Sequence, residues 1–160
     1  MTRKKKIFIS ITIIVFGVVA CIASYLYGFR QGIFAGGVTA SMTEYTINMD
    51  HITDQMTNAD CAGAKQAIYD YLDLVTKYKD KEGSFISSTT YYGDKMLGHT
   101  RLARIERYLK NYTEADNQMK KAIEACKQHN WKDCSEDKLI QFSKRLEEKH
   151  PIACLANEEK

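Results

Sequence analysis

Five cysteines offer the chain's most evident chemistry. Cys21 lies inside a long apolar run, whereas Cys61, Cys126, Cys134 and Cys154 follow in sequence patterned for helices. An even set of thiols in an oxidising compartment pairs into disulfides, so these four are the disulfide candidates. Cys126 falls at the end of one predicted helix and Cys134 just before the next, joined by KQHNWKD. That loop could bring the two sulfurs together and leave Cys61 with Cys154, clamping the C-terminus to the second helix. Four cysteines allow three pairings, and spacing alone does not choose among them.

A metal would compete for the same atoms. Cys126-x2-His129-x4-Cys134 and His150-x3-Cys154 offer thiolate and imidazole ligands of the kind zinc prefers. The usual CxxC knuckle is missing, and a cysteine held in a disulfide cannot ligate, so no metal is expected. The sequence also lacks CxxCH, GxSxG, HExxH and a phosphate-binding glycine loop, which leaves no cofactor and no catalytic residue to assign. His51, His99, His129 and His150 are scattered and read as surface or structural residues. The chain is therefore expected not to be an enzyme.

Charge narrows the choice of partner. Residues 1–30 carry Arg3, Lys4, Lys5, Lys6 and Arg30 and no acid, so the remaining 130 residues hold 18 basic and 20 acidic side chains. The net charge of +3 belongs to the N-terminus, and a nucleic-acid footprint is absent. Ile7–Phe29 contains no charged residue over 23 positions, about 34 Å as a helix. With four basic residues before it, this run reads as an uncleaved single-pass anchor with a cytoplasmic N-terminus. A cleaved secretory signal and a lipoprotein signal ending Val18-Val19-Ala20-Cys21 are the rival readings. All three export the rest of the chain, to the periplasm in a Gram-negative cell, and make the lipid bilayer a partner.

Ala20, Ser24, Gly28, Gly32, Gly36 and Ala40 recur at intervals of four. Such a row lets another helix approach closely and points to membrane-helix packing against another protein or a second copy. The chain thus divides into a basic segment 1–6, an anchor 7–29, a juxtamembrane helix 30–57, an exported helical domain 58–150 and a tail 151–160.

Beyond Ala40 the apolar spacing is helical throughout. Met42, Tyr45, Met49, Ile52 and Met56 form one stripe, and Ala64, Ala67, Ile68, Tyr71, Leu72, Val75 and Tyr78 a second, stronger one. A helix is expected over Tyr91–Lys110, with Leu97, Leu102, Ile105, Tyr108 and Leu109 on its apolar side. Thr113 would cap the next, bearing Ala115, Met119, Ala122, Ile123 and Cys126, and Ser135 the last, bearing Leu139, Phe142 and Leu146. Lys79–Thr90 reads as the one clear loop.

Leu102-Ala103, Tyr112, Ala115, Met119, Ala122 and Ile123 resemble the core of one tetratricopeptide repeat over about residues 100–126. Glu106 stands where that repeat normally has tyrosine, Met119 replaces an aromatic, and the closing proline is absent. The resemblance implies a helix pair built for protein contact. The expected fold is all-α, an N-terminal transmembrane helix followed by a small exported bundle of tetratricopeptide-like helix pairs. The expected function is a membrane-anchored interaction or assembly module of the cell envelope. An accessory subunit of a membrane complex, or an exported metal protein or enzyme using the Cys/His cluster, are the alternatives.

Overall fold

Long unbroken apolar and helix-forming stretches, with a single proline near the end, leave the chain little choice but helix. A computed structural model describes residues 3–79, 85–149 and 151–156, with side chains from residue 19 onward except 33 and 34. Among the described residues five helices follow in order: α1 (Arg3–Asn58), α2 (Cys61–Lys79), α3 (Ser88–Tyr108), α4 (Tyr112–Gln128) and α5 (Glu136–Glu147), then a 3-10 turn at Ala153–Leu155. The fold is all-α. The chain divides into two compact units, Met1–Ser41 and Met42–Lys160.

The membrane part of the expectation does not stand. Among the described residues, no helix is long and apolar enough to cross a membrane. Helix α1 does not stop where the apolar run stops but continues through Arg30 and Gln31 to Asn58. The side chains of residues 7–18 of the expected anchor lie outside the described ones. The transmembrane helix and the single-pass cell-membrane location are accordingly withdrawn.

Inside the second unit the stripes pack as their spacing requires. Ile52 and Met56 of α1 join Ile68, Leu72 and Val75 of α2, Leu102 and Ile105 of α3, and Ile152 and Leu155 of the C-terminal turn in one cluster. A second cluster joins Met96 and Ala103 of α3 to Met119, Ala122 and Cys126 of α4 and Leu139 of α5. Each fully buried aliphatic side chain stabilises by about 1.5–3 kcal/mol. Helix α3 feeds both clusters and is buried on two sides. At Gly98 it runs so close to α2 that a Cβ would lie 2.8 Å from Leu72 Cδ2. Only glycine fits there without displacing Leu72.

Two buried charges lie on that same helix. Arg104, 4% exposed, donates from Nη1 to Glu147 of α5 at 2.6 Å and to Ser143 at 3.1 Å. Arg101 lies 3.5 Å from the same carboxylate. Glu106, 2% exposed, pairs with Lys65 of α2 and accepts from the Asn111 amide at 3.1 Å.

Helix ends differ from expectation for identifiable reasons. Helix α3 begins at Ser88 rather than Tyr91 because the Ser87 hydroxyl accepts from the Thr90 N–H at 3.0 Å. It ends at Tyr108, after which Lys110 takes a left-handed φ of 61°, so Tyr108 and Leu109 point to solvent instead of the core. Asn111, not Thr113, holds the cap position of α4, and its side chain serves Glu106 rather than the helix end. Ser135 does stand at the α5 cap but makes no side-chain capping bond. Residues 80–84 of the expected loop lie outside the described ones.

Both suggested cysteine pairs form. Cys61–Cys154 has a Cα separation of 5.1 Å and Cys126–Cys134 one of 5.8 Å, both within disulfide range. Alkylation of the unreduced chain followed by mass spectrometry should modify Cys21 alone, the free cysteine. Removing Cys126–Cys134 by paired alanine substitution should lower stability by about 2–3 kcal/mol, and removing Cys61–Cys154, which closes a far longer loop, by about 4 kcal/mol. Equal losses, or four further alkylated thiols, would contradict the assignment.

Candidate functional site

The short disulfide in the α4–α5 connection shapes a groove against α3. Helix α4 ends at Gln128, and Asn130 takes a left-handed φ of 63°. The Trp131 N–H then turns back to the Cys126 carbonyl at 3.4 Å. With Cys126 tied to Cys134, the loop folds inward and sets Trp131 edge-on against Phe142 of α5, ring centroids 4.7 Å apart. The His129 ring meets Trp131 in the same edge-on manner at 5.7 Å.

Opposite these rings α3 offers Gly93, Asp94, Met96 and Leu97. A Cβ at Gly93 would lie 3.2 Å from His129 Cδ2, so the missing side chain is what admits the imidazole. Thr89, Thr90 and the 38%-exposed Leu146 complete a mainly apolar groove of about 310 Å³. His129 Nδ1 is buried there without a hydrogen-bond partner among the described residues. Asp94 is the groove's only carboxylate. Burial raises its pKa above the usual aspartate value, and a hydrogen bond with the Tyr71 hydroxyl opposes that rise. The arrangement suits an apolar side chain with a cationic or donor group beside it.

A second groove, of about 280 Å³, lies between α3 and α4 and is lined by Tyr92, Lys95, His99, Lys121, Glu124, Ala125 and Gln128.

The four disulfide cysteines stand where the sequence suggested. Their bonding takes the sulfurs away from a Cys/His metal cluster, and His150 lies outside the described residues. Ala20, Ser24, Gly28, Gly32, Gly36 and Ala40 are all exposed on α1. Open space surrounds the Cβ positions of the three glycines. His51 is exposed and bonded to Gln55, whereas His99 is buried against Gln118. Sequence reasoning missed Asp94, Trp131 and the Gly93 notch. A tryptophan inside a short cysteine-bounded loop was the available signal, because such a loop cannot tuck its ring into a helix stripe.

Asp94 gives the groove a pH signature. Its pKa is raised in the folded state, so the folded chain holds this proton more readily than the unfolded one. The resulting stability is fully present below the ordinary aspartate value of about 3.9 and is lost as pH rises through the folded pKa. Asp94→Asn removes that titration while keeping an acceptor for Tyr71. Urea unfolding at pH 4, 5.5 and 7 should therefore show Asp94→Asn gaining on the wild type as pH rises. A wild type that gains on the variant would contradict this electrostatic reading.

No protein-family model, curated protein or solved structure matches this chain.

Proposed function

We propose that the chain is a disulfide-stapled helical protein-interaction module of an exported compartment, and that it does not act as an enzyme. Paired cysteines are characteristic of oxidising compartments, which supports export. The observation that carries the interaction reading is the groove walled by Trp131, Phe142 and Leu146, large enough for an aromatic or branched side chain. Asp94 at its edge favours a partner segment with arginine or lysine next to that apolar anchor. The α3–α4 pair supplies a rigid scaffold for such docking, in keeping with the tetratricopeptide resemblance.

Self-association is the second reading, favoured by the uncovered face at Gly28, Gly32 and Gly36. Small residues allow two helix axes to come close. Gly32→Leu should then shift sedimentation from dimer toward monomer, whereas an unchanged profile would count against this role.

Trp131 is the chain's one tryptophan, so its fluorescence reports on the groove directly. Synthetic peptides carrying Leu or Phe beside Arg should change its emission saturably. Leu146→Glu, which places a charge in the apolar wall, should weaken binding by about tenfold. Acidic peptides binding equally well, or a Leu146→Glu variant binding as the wild type does, would overturn the proposal.

A further inference from the structure

His99, 9% exposed, is held in one tautomer by its neighbours. The Glu114 carboxylate can only accept, so the Gln118 amide nitrogen faces it at 2.7 Å and reaches the Tyr69 hydroxyl of α2 at 3.3 Å. The amide oxygen is thereby turned to His99 Nδ1, 2.7 Å away, and that nitrogen must donate. In the neutral ring Nε2 remains an acceptor. It has no hydrogen-bond partner among the described residues and is not sealed from solvent.

The imidazole forms part of the wall of the α3–α4 groove, with Tyr92 and Lys95 on α3 and Lys121, Glu124, Ala125 and Gln128 on α4. Lys95 lies 5.4 Å from the Tyr91 ring, and neither lysine forms an ion pair among the described residues. Burial lowers the His99 pKa below the usual histidine range. The Gln118 hydrogen bond opposes that, and both ammonium groups lower it further. Two cations thus bear on one buried acceptor, with Glu124 the only acid lining the groove.

We propose that this groove binds a phosphate group, its charge held between Lys95 and Lys121 and its proton shared with His99 Nε2. A phosphate monoester, with a second pKa of about 6, carries both the negative charge and the proton that this site can use. A carboxylate or sulfate near neutral pH brings charge without a proton. Either way the proton is conserved, resting on the phosphate oxygen or on Nε2. Tyr92 and Ala125 add an apolar wall for the carbon side of an ester. The groove shares no lining residue with the Trp131 groove, so the two proposals can fail separately.

The test follows the His99 ring protons by NMR in the oxidised full chain from pH 4.5 to 8. Inorganic phosphate and phenyl phosphate are titrated against sulfate and acetate at matched ionic strength. Both phosphates should raise the His99 pKa by about one pH unit or more, as an anion close to an imidazole does. Tighter binding of phenyl phosphate would identify a monoester as the ligand, and equal binding the free ion. Lys95→Met with Lys121→Met, checked for folding by circular dichroism, should weaken phosphate binding by about tenfold. The proposal is overturned if sulfate or acetate moves His99 as far as phosphate, if phosphate leaves it unmoved, or if the folded lysine variant binds unchanged.

Discussion

Two buried charges on one helix organise this domain. Arg104 and Glu106 sit two residues apart on α3 and are answered from opposite flanks, by Glu147 on α5 and by Lys65 on α2. A buried charge stripped of its partner costs about 3–5 kcal/mol, so any arrangement lacking either flanking helix is strongly disfavoured. Apolar burial supplies the larger share of the driving force, but non-directional packing would tolerate other helix arrangements. The ion pairs do not. They fix which helix lies on which side of α3, and Glu147 does so for Arg101 as well.

Both disulfides act on the edges of that arrangement. Cys61–Cys154 holds the C-terminal turn, with Ile152 and Leu155, against the cluster formed by α1, α2 and α3. Cys126–Cys134 turns the α4–α5 connection inward and makes Trp131 a groove wall instead of a loose loop residue. The groove is thus a consequence of the staple, and its floor a consequence of the glycine at position 93. On the α4 side of α3, the fixed tautomer of His99 follows from Gln118 and Glu114 in the same way. Both proposed sites lie along the helix whose neighbours the charges determine.

Apolar spacing makes α2 and α4 legible in the sequence, since Ala64–Tyr78 and Ala115–Cys126 each bury one face. The cysteines were legible as a disulfide set, because an even number follows in helix-patterned sequence, but spacing left all three pairings open. Helix α3 was much less legible. Its buried residues include Gly98, His99, Thr100, Arg104 and Glu106, types that pattern reading assigns to solvent, and burial on two sides blurs the stripe further. Glu106, odd against the tetratricopeptide pattern, is explained by Lys65. The charge-free run Ile7–Phe29 suggested a membrane span, and the helix expected over 30–57 is the distal part of α1, which ends at Asn58. Capping by Ser87 was hidden in a serine/threonine cluster that reads equally well as loop.

The direct test of the charge-clamp account is the relative cost of removing each end of the α3–α5 pair. Glu147→Gln removes the carboxylate charge that Arg101 and Arg104 both face, whereas Arg104→Met leaves Glu147 still facing Arg101. Urea unfolding of the oxidised chains at neutral pH should show Glu147→Gln losing about 3–5 kcal/mol and Arg104→Met distinctly less. Losses within about 0.5 kcal/mol of the wild type, as expected for an exposed substitution, would contradict the claim that these charges hold α5 to α3.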